Sequence, residues 1–206
     1  FGTVDSWLIW NMTAGNVFKT DVTNASRTML CNIESASWDE ELMAIFGIEL
    51  SALPEIVPSS GKLAEIDNSI LGKPLPIAGV AGDQQSALFG QACFDVGQAK
   101  NTYGTGCFLM LNAGPKPVKS KHQLLSTIAW QIGEKRTYAL EGAVFVAGSL
   151  VQWLRDKMEF FQNASETEKM ALSVQDSDGC YVVPAFVGLG APHWDAYARG
   201  LIIGLT

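Results

Sequence analysis

The order of apolar and polar positions divides the chain into two textures. Up to about residue 92, helical patterns and short strands alternate, and beyond Gly97 a run of hairpin-like strands leads into helices. Asp5 precedes an apolar stretch, Trp7 to Met12, that reads as a capped helix ending before Gly15. Residues 38–46 carry apolar positions at helical spacing, with Ser37 as the cap, acids in the first turn and Gly47 as the stop. Between these helices, residues 20–28 are too polar to predict a core element, and residues 54–61, with their prolines and serines, predict a loop. Residues 61–66 alternate like a half-buried strand, and the apolar run 75–80 suits an interior strand that delivers Asp83. A helix is expected over 84–94, stopped by Gly97. Strands follow at 99–103, 107–112, 124–131 and 137–141, then helices at 145–158 and 165–172 and a strand at 181–184. The change of texture places a domain boundary at residues 92–98, giving domains 1–92 and 93–206.

Composition narrows the class of protein. The chain has 206 residues, 48% of them apolar, enough to bury a sizeable core. A net charge of −7 argues against nucleic-acid or anionic-membrane partners, whose field would repel such a surface. No apolar run reaches membrane-spanning length. Cys31, Cys93, Cys107 and Cys180 lie far apart, and the histidines are His122 and His193, so no metal-ligand cluster is visible. Four buried thiols in a reducing cytoplasm are expected rather than two disulfides. Phe1 is not an initiator, and Leu201-Ile202-Ile203 leads to the end of the chain inside a strand-like run. The expectation is an internal fragment of a longer protein.

Two polar segments offer chemistry. Gly82-Asp83-Gln84-Gln85 ends a strand pattern and opens a helix, which would place the Asp83 carboxylate at the carboxyl edge of a sheet, where open α/β sheets bind ligands. Asp83 could equally be an ordinary helix N-cap for the N–H of Gln85 or Ser86. Gly104-Thr105-Gly106 lies between two predicted strands. It could be a simple hairpin turn, or its N–H groups and the Thr105 hydroxyl could form a nest for phosphate. Gly148 and Gln152 share a helix face at i, i+4 spacing, which suits either a nucleotide or helix packing.

Together, Asp5-Ser6-Trp7-Leu8-Ile9-Trp10, Thr23-Asn24-Ala25-Ser26-Arg27-Thr28, Gly82-Asp83-Gln84-Gln85, Asn101-Thr102-Tyr103-Gly104-Thr105-Gly106, Ala139-Leu140-Glu141-Gly142 and the stretch Pro184 to Pro192 closely resemble the FGGY family of carbohydrate kinases. The resemblance covers the whole chain, in order and at the family's spacing. It implies an α/β protein of the actin-like ATPase (ribonuclease H-like) fold, with parts of two similar domains. Residues 1–92 would form the C-terminal half of the first domain and residues 93–206 the N-terminal half of the second. The activity implied is ATP-dependent phosphorylation of glycerol to sn-glycerol 3-phosphate in the cytoplasm. Another sugar kinase of the family, or a non-catalytic sugar- or nucleotide-binding derivative, is the alternative. Carried over by residue, Asp83 would be the general base, Gln84 would hold another hydroxyl, and Phe108 would line the apolar side of the substrate pocket. Gly104 and Thr105 would contact the nucleotide phosphates, and Gly148 and Gln152 would lie along the nucleotide. Magnesium would arrive with ATP rather than in a protein cage, and the parent would be a homo-oligomer. The rest of the glycerol pocket would come from before Phe1 and an adenine-binding segment from after Thr206, so the fragment alone is expected to be inactive.

Overall fold

A computed structural model describes residues 1–205. In chain order the elements are α1 (Val4–Met12), β1 (Lys19–Asp21), α2 (Val22–Ala25), β2 (Cys31–Asn32), β3 (Ser37–Trp38), α3 (Glu40–Phe46), a 3-10 turn (Leu50–Ala52), β4 (Glu55–Val57), β5 (Ser60–Ile66), α4 (Asn68–Leu71), β6 (Leu75–Gly79), α5 (Asp83–Gly90), β7 (Ala99–Tyr103), β8 (Cys107–Gly114), β9 (Leu125–Ile132), β10 (Lys135–Val144), α6 (Gly148–Asp156), α7 (Glu166–Leu172), β11 (Tyr181–Val183) and β12 (Leu201–Ile203). The largest sheet has six strands in the order β6-β5-β9-β10-β8-β7, with β5 antiparallel to β6, parallel to β9, and β9 antiparallel to β10. Three two-stranded pairs complete the set: β1 with β4, β2 with β3, and β11 with β12.

The chain divides into two compact units. The first comprises Phe1–Lys100, Met110–Ser120 and Leu125–Glu141, and the second Asn101–Leu109, Lys121–Leu124 and the chain from Gly142 onward. In the first unit, β9 and β10 carry apolar side chains on both faces. Ile128 and Tyr138 pack with Val22 of α2, while Ala129 and Ala139 pack with Leu88 of α5, Cys93 and Met110. Successive strand residues face opposite ways, so neighbouring positions on β9 serve both clusters and a helix covers each. Phe89, Phe94 and Trp130 meet edge to face beside the second cluster, with centroids 4.9 to 6.4 Å apart, and anchor the C-terminal end of α5.

Several elements differ from what the sequence pattern predicts, each for a physical reason. The polar stretch 20–28 is a core element: Thr20, Asp21 and Thr23 are completely buried. Burial is tolerated because each polar atom has a partner. Asp5 is not the cap of α1 but lies inside its first turn, where its carboxylate accepts from Thr20 Oγ1 (2.8 Å), the Asp21 N–H (3.2 Å) and Thr3 Oγ1. The cap of α3 is Asp39, which accepts from the N–H groups of Glu41 and Leu42 at 3.1 Å each and leaves Ser37 to β3. Those backbone donors, Leu42 first and with Asn32 assisting, hold the Asp39 carboxyl below the usual range. The expected loop at 54–61 contains β4, paired in parallel with β1. The run 75–80 forms an edge strand instead of an interior one, with no residue of β6 fully buried. Pro76 has no N–H to donate to a neighbouring strand, which is the feature that fits an edge. Cys31 and Cys93 are buried, whereas Cys107 and Cys180 are only half-buried, so two thiols rather than four lie in the interior; all four are free. Burial pushes the Cys31 thiol up to about 11.

Candidate functional site

In the first unit the candidate carboxylate stands on a turn tied to buried polar side chains. The N-cap of α5 is Gly82, and Asp83 is the first helical residue, making no cap bond to Gln85 or Ser86; the Ser86 N–H goes to the Gly82 carbonyl at 2.8 Å. The N-cap alternative for Asp83 is therefore corrected. Its carboxylate is exposed, at the start of the helix that follows β6. The Gly82 N–H donates to Thr23 Oγ1 at 2.8 Å, and Thr23 Oγ1 in turn donates to Asp21 Oδ1 at 2.8 Å. Asp21 also accepts from the N–H groups of Thr23 (3.1 Å) and Asn24 (3.0 Å), Asn24 Nδ2 (2.8 Å) and Ser59 Oγ (2.7 Å). On the other side of the helix, Gln85 Nε2 donates to the Ile128 carbonyl and Leu88 is buried in the core. With inward residues at i and i+3, the rotation of α5 is set, and with it the direction of its first turn.

Charges collect beside that turn. Gln84 Nε2 donates to Asp83 Oδ2 at 3.1 Å, while Gln84 Oε1 accepts from Lys100 Nζ. Lys100 is only 7% exposed. Burial pulls its ammonium below the ordinary lysine value, and the negative charges of Asp83 and Glu141 act the other way. Glu141, also buried, pairs with Arg27 Nη2 at 2.9 Å. Sequence reasoning missed Lys100, the Arg27–Glu141 pair and the Asp21–Thr23 support. Arg27 and Glu141 are 114 positions apart, so no local pattern could join them. Lys100 stands in a strand whose alternation does not distinguish a buried ammonium from a solvated one.

In the second unit the candidate phosphate turn is held by backbone. The Gly104 carbonyl accepts from the Gly148 N–H at 2.9 Å; the Thr105 carbonyl accepts from the N–H groups of Ala147 (2.8 Å) and Ser149 (3.2 Å) and from Ser149 Oγ (2.9 Å). These carbonyls take the place of a side-chain cap, which α6 lacks. Two consequences follow from planar trans peptides. The first N–H groups of α6 are occupied by the turn, so that helix end is not itself the anion cradle. Since the Gly104 and Thr105 carbonyls point at α6, the N–H groups of Thr105 and Gly106 point away from it; Thr105 is exposed and Gly106 buried. Two N–H groups turned from the helix, with a hydroxyl between them, suit an anion. The closeness explains the glycines: a Cβ on Gly148 would lie 2.5 Å from the Gly104 oxygen, and one on Gly106 2.5 Å from the Val144 oxygen. Gln152 is exposed one turn along α6, and Phe108 is half-buried in β8. Asp83 and Gln84 thus belong to the first unit, and Gly104, Thr105, Phe108, Gly148 and Gln152 to the second.

Among the described residues, no group of three or more His, Cys, Asp or Glu side chains could hold a metal ion, and no helix is long and apolar enough to cross a membrane. Comparison with known proteins finds one family in both parts of the chain. The N-terminal domain of the FGGY family of carbohydrate kinases matches residues 1–90, and the family's C-terminal domain matches residues 99–206. A glycerol kinase of Symbiobacterium thermophilum is 61% identical over the whole chain, and one of Rhodopirellula baltica 57%. The chain spans 41% of the length of the first and 38% of the second. Among solved structures, glycerol kinase of Plasmodium falciparum with ADP superposes with a TM-score of 0.89 at 43% identity, covering all of this chain and 41% of that one. A ligand-bound xylulose kinase of Lactobacillus acidophilus, 22% identical with a TM-score of 0.81 over 100% of this chain and 42% of its own, shares the fold.

Proposed function

The chain belongs to the FGGY family of carbohydrate kinases, and we propose that the protein of which it forms part transfers the terminal phosphoryl group of ATP to glycerol, giving sn-glycerol 3-phosphate. The observation that carries the proposal is the Asp83 turn: an exposed carboxylate opening α5, held by Gln84 at one oxygen, in a chain about three-fifths identical to glycerol kinases. In this reading Asp83 accepts the proton of the attacking hydroxyl and Gln84 binds a second hydroxyl. Phe108 covers the carbon side of the substrate. The N–H groups of Thr105 and Gly106, with the Thr105 hydroxyl, stabilise charge on the transferring phosphoryl group, which needs positioning and fixed donors more than covalent help. Gly104, Gly148 and Gln152 lie along the nucleotide.

Magnesium belongs to the nucleotide in this proposal, neutralising phosphate charge as Mg-ATP binds. The N–H groups of the Gly104–Gly106 turn that face away from α6 suit a phosphate, while Glu141 is paired with Arg27 and Asp21 accepts from buried donors. We also assign residues 1–92 to the family's first domain and 93–206 to its second, the enzyme to the cytoplasm and its assembly to a homo-oligomer. Likeness to xylulose and gluconate kinases at 19 to 23% identity supports the fold and no sugar in particular.

The test is Asp83→Asn in the full-length enzyme, assayed with glycerol and ATP. Loss of the proton acceptor at nearly constant shape lowers kcat by about 10²–10⁴, or ~3–5 kcal/mol of barrier. Near-normal turnover in this variant removes the base assignment. Absence of glycerol-dependent ADP release in the wild type removes the substrate.

A further inference from the structure

We infer that Lys100 is a positioning residue for Asp83, acting through Gln84: its ammonium captures Gln84 Oε1 and so commits the Gln84 amide to present Nε2 to the carboxylate. The inference rests on the reading of Asp83 as the base. A glutamine amide has two ends of nearly the same shape and opposite chemistry, and left alone it can turn over. An ammonium has only donors, so it can hold the oxygen end alone; the reversed amide would set NH₂ against NH₃⁺. Lys100 therefore decides which way Gln84 faces by chemistry, independently of how the amide atoms are assigned.

The orientation has consequences at both partners. One Nε2 proton goes to Asp83 Oδ2 at 3.1 Å, which holds that oxygen and leaves Oδ1 for the hydroxyl proton. The second Nε2 proton remains for an acceptor on the substrate, so the same amide ties the base to a neighbouring hydroxyl. A lysine at 7% exposure needs a reason, since burying an ammonium is costly. The charged groups facing it are Asp83 and Glu141, with Cys93 nearby, and Glu141 is already paired with Arg27. Lys100 is thus the cation that matches Asp83 in a cluster of two carboxylates and two bases. Its place one residue into β7 fixes it to the sheet, so the support for Gln84 is rigid.

Lys100→Met keeps most of the stem and removes the donors. In the full-length enzyme kcat falls by about 10-fold to 100-fold and the KM for glycerol rises, while the KM for ATP is unchanged. Lys100→Arg, which also has donors and no acceptor, recovers part of the loss. Lys62→Met, at an exposed lysine paired with Glu65, leaves all three constants at their wild-type values. A Lys100→Met enzyme with wild-type kcat and glycerol KM overturns the proposal. So does one whose loss is only a smaller active fraction by active-site titration. A second readout is independent of activity and of the variant folding: the side-chain amide of Gln84 in isotope-labelled protein. Two well-separated, slowly exchanging amide proton resonances are expected in the wild type, collapsing in Lys100→Met. Resonances of a free, solvent-exposed glutamine in the wild type overturn the inference. If the wild type proves inactive on glycerol, the kinase reading falls and the amide resonances still decide the role of Lys100.

Discussion

The turn that carries Asp83 and the turn that carries Thr105 are held by opposite means. Gly82-Asp83 is fixed from beneath by buried side chains, Thr23 on its N–H and Asp21 on Thr23, with Gln84 and Lys100 alongside. Gly104-Thr105-Gly106 is fixed through its own main chain: its carbonyls accept the first N–H groups of α6 and the Ser149 hydroxyl, and glycines let the two backbones approach. The first arrangement makes the candidate base inseparable from the stability of its unit. The second leaves the Thr105 side chain free of any structural duty, so that it can be altered with the fold intact. A proton acceptor needs an oriented side chain, whereas an anion can be met by peptide N–H groups, so each support fits the role proposed for its turn.

The sharpest way to break this contrast is Asp21→Ala. Asp21 is fully buried and accepts five hydrogen bonds, from Thr23 N–H and Oγ1, Asn24 N–H and Nδ2, and Ser59 Oγ. Alanine strands several of those donors in a dry site, at about 3–5 kcal/mol of unfolding free energy. Urea unfolding of the full-length protein measures it. A loss under about 1 kcal/mol would mean that water replaces the carboxylate and that the Asp83 turn does not depend on the network.

How much of this was legible in the sequence differs between the two turns in the same way. The Gly104-Thr105-Gly106 turn, the strands around it and the helix after it can be read locally, because glycine marks a backbone requirement wherever it occurs. So can α3, with Gly47 in the left-handed region at φ 65° closing it. The Asp83 support cannot be read that way. Its members, Asp21, Thr23, Lys100, Arg27 and Glu141, look like surface residues singly, and they acquire meaning only when residues as far as 114 positions apart meet. The polarity of residues 20–28 hides a core element, because partners exist for the buried groups. β6 shows the reverse, since an apolar run does not distinguish an interior strand from an edge. The candidate site residues themselves were legible through the ordered set of segments resembling one family, a signal that works across the distances local patterns do not span.

Gly148→Ala tests the backbone-held turn at intermediate size. The added Cβ would lie 2.5 Å from the Gly104 oxygen, a backbone atom that no side-chain rotation can move. Relief requires α6 or the turn to shift, at about 1–3 kcal/mol. In the full-length enzyme the KM for ATP should rise with the KM for glycerol unchanged, because the shift falls on the second unit alone. An unchanged unfolding midpoint together with unchanged ATP kinetics would show that the close approach is dispensable.

Thr105→Ala should have the smallest effect on folding and for that reason sharpens the comparison most. The Thr105 side chain is exposed, and its carbonyl, which alanine retains, makes the bonds to Ala147 and Ser149. Unfolding free energy should stay within about 0.5 kcal/mol of the wild type. Substitution removes the hydroxyl and the γ-methyl, while the N–H groups of residues 105 and 106 persist. If the hydroxyl helps to stabilise charge on the transferring phosphoryl group, kcat falls by about 10²-fold while glycerol affinity holds. The comparison with Asp21→Ala is then a double dissociation: one variant loses the fold and its activity together, the other loses turnover in a protein that unfolds like the wild type. A Thr105→Ala enzyme that binds glycerol more weakly, with normal ATP kinetics, would move Thr105 from the phosphate to the acceptor. One that unfolds more easily would show that the second turn, like the first, is held by its side chains.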